Sequence, residues 1–106
     1  MNRNCFTLRV KPASVAEYKE HHREVWPEMR AALSRSGWHN YSLFLRADGL
    51  LVGYLETPGT FGEALAAMAG EPINEAWQSA MAPLFEGQGQ PADQMMTELD
   101  SVFHLP

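Results

Sequence analysis

The sequence predicts an α+β fold: a four-stranded antiparallel sheet with helices on one face, its elements running strand, helix, strand, strand, helix, strand. Three observations carry this prediction. Phe6, Leu8 and Val10 alternate with Cys5, Thr7 and Arg9, the period-two pattern of a strand. The stretches 38–46 and 50–56 repeat that alternation on either side of Ala47, Asp48 and Gly49, a turn that joins antiparallel neighbours. Two S/T-x-x-E signatures, Ser14 with Glu17 and Thr60 with Glu63, precede runs of helical period.

The elements follow in order. Pro12 ends the first strand, and Ser14 and Glu17 open a helix whose apolar positions are Val15, Tyr18, His22, Val25, Met29, Ala32 and Leu33. Pro27 bends this helix after Trp26, because its ring crowds the preceding turn and it donates no amide hydrogen bond. Gly37 closes the helix as a left-handed cap. The hairpin then carries apolar side chains on both faces, so the sheet needs a second cover, and a second copy of the chain supplies it in an expected homodimer. Thr60 starts a second helix that ends near Gly70, and Pro72 suits the first turn of a third. That third helix carries Ile73, Ala76, Trp77 and Ala80 at helical spacing, which leans Trp77 toward the sheet. Gly87 to Ala92 is a mobile loop whose Gly-Gln-Gly-Gln run lacks the ending of a phosphate loop, and Leu99 to Leu105 makes the last strand. The order is the ferredoxin-like β-α-β-β-α-β arrangement, in one domain spanning 1–106.

Composition narrows the partners. The chain has 106 residues, and 45% of them are hydrophobic, enough for a real core. A net charge of -5 with only 8 Lys and Arg argues against a nucleic-acid surface. No stretch approaches the roughly 20 apolar residues of a membrane span. Cys5 is the single cysteine, and no signal-peptide pattern opens the chain, so a cytoplasmic location is expected. The four histidines, at 21, 22, 39 and 104, form no H-x-x-x-H pair, so no metal site is expected; no G-x-S-x-G elbow is present.

The chemistry concentrates on Tyr18, His22 and Trp26, four residues apart on one helical face. An imidazole between two rings is a plausible sugar-sized reaction site, since rings stack on a pyranose and histidine moves protons near neutral pH. The same spacing also fits a satisfied core histidine among packing aromatics. His21 is rotated about 100° away and belongs to the wet side.

Several motifs in register settle which description to test. Tyr18-x-x-x-His22-x-x-x-Trp26-Pro27-Glu28, Gly37-x-His39-Asn40-Tyr41, Trp77, and the terminal Val102-Phe103-x-Leu105-Pro106 closely resemble the L-rhamnose mutarotase family across nearly the whole chain. The resemblance implies an isomerase that interconverts the α and β anomers of L-rhamnopyranose without a cofactor, as a dimer of ferredoxin-like subunits forming an α/β barrel. It assigns the proton donor to His22 and sugar contacts to Tyr18, Tyr41, Ala76 and Trp77. Two positions depart from the family pattern: Ala76 stands where a second tryptophan can occur, and His104 where a tyrosine can precede Leu-Pro. Trp26 and His39 are equally suited to structural support and to contact. Two rival readings share the fold or the pocket: a cofactor-free monooxygenase and a non-catalytic sugar-binding module.

Overall fold

The computed structural model describes residues 1–87 and 90–106, so the centre of the Gly87–Ala92 loop lies outside the described residues. Its elements are β1 (Asn2–Arg9), α1 (Val15–His21), α2 (Pro27–Arg35), β2 (His39–Leu45), β3 (Leu50–Thr57), α3 (Phe61–Ala69), α4 (Pro72–Met81) and β4 (Thr97–Leu99). Single 3-10 turns lie at Pro12–Ser14, Ala82–Leu84 and Ala92–Gln94. The strands pair antiparallel in the order β2-β3-β1-β4, as the β-α-β-β-α-β reading requires.

Three details differ from the sequence-based expectation, each for a local reason. The first helix is two helices, not one bent helix. Pro27 both lacks an amide hydrogen and restricts the residue before it, so Trp26 is extended (φ -51, ψ 132) and the break falls between His22 and Trp26. Pro27 then serves as the first residue of α2. Ser14 makes no capping hydrogen bond, because the 3-10 turn begun by Pro12 already holds it at φ -103, ψ 1, outside the extended conformation of a cap. Thr60, which is extended, does cap α3: its hydroxyl accepts from the Glu63 amide at 3.1 Å. β4 covers only Thr97–Leu99, and residues 100–106 run on without regular structure, leaving Val102, Phe103 and Leu105 exposed.

The α2 to β2 corner behaves as its sequence suggests. Gly37 has φ 85, and the Gly37 and Trp38 amides donate to the Ser34 and Leu33 carbonyls at 3.2 and 3.0 Å. This closes α2 in a Schellman motif that a residue with a Cβ would strain. The corner delivers Trp38 to the interior, where its indole N–H donates to the Ala64 carbonyl of α3 at 3.0 Å.

The helix-covered face of the sheet presents Phe6, Leu8, Leu51 and Leu55 to the core. Phe6 is the centre of this layer, stacked on Phe61 with ring centroids 5.7 Å apart and tilted against Tyr41 at 6.3 Å. It fits because its partner across the β1/β3 ladder is Gly53; a Cβ there would lie 2.2 Å from the Phe6 ring. Gly53→Ala will therefore lower stability by about 1–3 kcal/mol through overpacking, read as a reduced urea midpoint with unchanged slope. The opposite face carries Cys5, Thr7, Phe44, Val52, Tyr54 and Leu99, with Phe44 64% exposed.

Candidate active site

The segment joining α1 to α2, α2 itself, β2 and α4 line a cavity of about 510 Å³, a volume suited to one small-molecule ligand. His22, Tyr41, Trp77, Asn74 and Gln78 contribute to its wall. A smaller adjoining cavity of about 40 Å³ brings Tyr18 to Tyr41, Trp77 and Gln78. The geometry thus gathers His22, Tyr18, Tyr41 and Trp77, residues from three elements separated by up to 59 positions.

His22 caps the C-terminus of α1, and its Nδ1 lies 2.8 Å from the Tyr18 carbonyl oxygen. A carbonyl can only accept, so Nδ1 carries the proton and Nε2 of the neutral ring bears the lone pair. The imidazole stacks on Tyr18 (centroids 4.0 Å, interplanar 23°) and meets Trp77 edge-to-face at 5.4 Å. Burial lowers its pKa below the usual 6.5; the Tyr18 carbonyl opposes that shift and the neighbouring His21 adds to it. His22 is accordingly neutral at pH 7. His21 lies on the exposed side in a pair with Glu17 at 3.4 Å, the wet-side placement expected of it.

Burial pushes the phenols of Tyr18 and Tyr41 well above their ordinary value, and for Tyr41 the nearby Tyr18 adds to the rise. Both stay protonated and able to donate. Trp77 is buried on α4, between His22 and the ring of Trp26, which packs against it edge-to-face at 5.0 Å. Trp26 itself is 38% exposed and supports Trp77 from outside the cavity. His39, at the start of β2, is also away from the cavity wall.

Ala76 is placed differently from the sequence reading. It lies on the exposed side of α4, as does Ala80; the buried stripe of this helix is Asn74, Trp77 and Met81. Alanines are too small to fix the phase of a helix, and the long Met81 side chain sets it instead. His104 is exposed in the C-terminal segment, beside Arg3, Cys5 and Tyr54 on the other face of the sheet.

Sequence reasoning missed the polar members Asn74, Gln78 and Asp93 of the cavity wall, as well as Arg30 and Ser34 of α2. Asn74 Nδ2 donates to Asp93 at 3.1 Å, and Gln78 Nε2 donates to Asn74 Oδ1 at 3.2 Å. The i, i+4 spacing of Asn74 and Gln78 around Trp77 was a usable signal for those two. Asp93, in the 3-10 turn Ala92–Gln94, carried none.

Comparison with known proteins adds the remaining observation. The L-rhamnose mutarotase family model matches residues 3–105. The chain belongs to the L-rhamnose mutarotase family. The L-rhamnose mutarotase of Oceanobacillus iheyensis is 37% identical over 106 residues, covering 99% of each chain. That of Acidiphilium cryptum is 36% identical over 107 residues and the full length of both. The crystal structure of an L-rhamnose mutarotase from Formosa agariphila superimposes with a TM-score of 0.81 over the whole of both chains; at 23% identity it bears on the fold alone. Membership in the family supports the mutarotase reading of the cavity over the monooxygenase and binding-module readings. Among the described residues no helix is long and apolar enough to cross a membrane.

Proposed function

We propose that this chain interconverts the α and β anomers of L-rhamnopyranose, with His22 moving the proton and Tyr18, Tyr41 and Trp77 contacting the sugar. The observation that carries the proposal is the bare Nε2 of a neutral imidazole in a sugar-sized cavity walled by aromatic rings.

Ring opening moves one proton from the anomeric hydroxyl to the ring oxygen while the bond between C1 and that oxygen breaks. Rotation about C1–C2 and closure then yield the other anomer. His22 Nε2 takes the hydroxyl proton and returns it to the ring oxygen, so one group acts as base and then as acid within each opening. A phenol that stays protonated donates to whichever sugar oxygen carries excess charge. The indole of Trp77 supplies an apolar face for the pyranose. The test is the exchange between the two anomeric proton signals of L-rhamnose, with protein expected to speed it well beyond the spontaneous rate; an unchanged rate sinks the proposal.

Because the neutral form of His22 is the one that starts the reaction, kcat/KM will be flat near pH 7 and fall on the acid side, with an inflection below 6.5. The same lowered pKa makes His22 a stabilising group in full above pH 6.5, with that contribution lost as pH falls below it. A profile whose acid limb lies above 6.5 contradicts the assignment.

We also propose that a second copy of this chain covers the open sheet face. Phe44 and Leu99, 64% and 44% exposed, lie there beside half-buried Val52 and Tyr54, an apolar patch of the kind that marks an interaction site. The expected interface buries well over about 1,000 Å². Sedimentation equilibrium at micromolar concentration checks it, and a stable monomer refutes it.

A further inference from the structure

Three of the polar residues on the cavity wall, Asp93, Asn74 and Gln78, form a chain with a fixed direction. Asp93 is a carboxylate and can only accept, so Asn74 must turn its amide N–H toward it, at 3.1 Å. The Asn74 oxygen then faces Gln78, and Gln78 must in turn present its own N–H, at 3.2 Å. This leaves the Gln78 side-chain oxygen at the end of the chain, buried within the wall and with no donor reaching it among the described residues. Turning the Gln78 amide over would set two oxygens against each other, so the carboxylate at the far end holds the arrangement. A buried acceptor left unmatched is destabilising, and a hydroxyl pressed into the wall would relieve it. Gln78 shares that wall with His22, Tyr41 and Trp77.

We infer that Gln78 is a specificity-determining residue: a small turn of its side chain opens Oε1 to the cavity, where it accepts a hydrogen bond from one ring hydroxyl of the bound sugar, and Asp93 acts through Asn74 as a positioning residue that keeps this acceptor unpaired until then. The inference rests on the sugar reading of the cavity and adds to it the discrimination between a hydroxyl and a hydrogen at one carbon. Gln78 takes no part in the proton transfer.

Calorimetric titration with L-rhamnose and its 2-, 3- and 4-deoxy derivatives tests the contact. The parent protein will bind one derivative about tenfold more weakly than L-rhamnose, and Gln78→Leu will bind those same two sugars with nearly equal affinity. Asp93→Asn can donate toward Asn74 and so releases the fixed direction of the chain; it will shrink the same discrimination with Gln78 still present. A loss of packing or fold in either variant weakens all four sugars together and leaves the ratio between them unchanged. If the ratios are the same in the parent and both variants, the contact does not exist and the inference is overturned. Should the parent neither bind L-rhamnose nor speed its anomer exchange, the sugar reading falls and takes the inference with it, a result distinct from the first. If Gln78→Leu does not fold, Asp93→Asn decides by the same ratio.

Discussion

His22→Ala will remove the protein's acceleration of anomer exchange by about 10² to 10⁴ in kcat, the range expected for a general acid–base group. The phenols of Tyr18 and Tyr41 cannot replace it: they are driven toward the protonated state and do not lose a proton near neutral pH. His21→Ala serves as the control, since its ring points away from the cavity into a weak exposed pair with Glu17. Saturation transfer between the anomeric signals measures both variants, and circular dichroism confirms that they fold. Similar losses in the two would mean that the proton is carried by another group.

Trp77→Ala will have two effects that can be separated. The ring is 7% exposed and touches His22 and Trp26, so truncating it costs about 3–5 kcal/mol of stability, seen as a lower denaturant midpoint. It also removes the apolar face proposed for the pyranose, and calorimetry at a temperature where the variant is folded will show L-rhamnose affinity falling by tenfold or more. Tyr54→Phe is the matching control: its hydroxyl donates to Glu56 at 2.7 Å on the opposite face of the sheet, far from the cavity. Unaltered affinity in Trp77→Ala would move the sugar platform elsewhere. Ala76→Trp is expected to leave affinity near the parent value in the isolated subunit, because position 76 is on the exposed side of α4.

Much of the architecture was legible because the strands are patterned by burial on one face. Phe6, Leu8, Leu51 and Leu55 alternate cleanly, and Gly37 and Gly49 mark corners where φ is positive. The inward placement of His22 followed from the same logic, since Tyr18 and Met29 keep one face across the break that separates them. What the sequence did not disclose was decided by backbone preferences that compete with periodicity. Pro27 constrains Trp26 and splits a continuous apolar stripe into two helices. On α4 the alanines at 76 and 80 suggest a face, and Met81 and Asn74 choose another. Asn74, Gln78 and Asp93 could not be joined in advance, because a polar chain closed by residues 19 apart has no signature until the fold brings them together.

The hydrogen bond from His22 to the Tyr18 carbonyl has a consequence for how this chain tolerates change. The tautomer of the His22 ring is fixed by a group only four residues upstream, on the same helical turn. It needs no distant partner to hold it. Mutational drift in the sheet, in α4 or around Asp93 can therefore reshape what the cavity admits while the His22 ring keeps its tautomer. Residues 18–22 behave as a self-contained cassette: a short stretch that carries its own aim and could be grafted onto another helix end facing a different cavity.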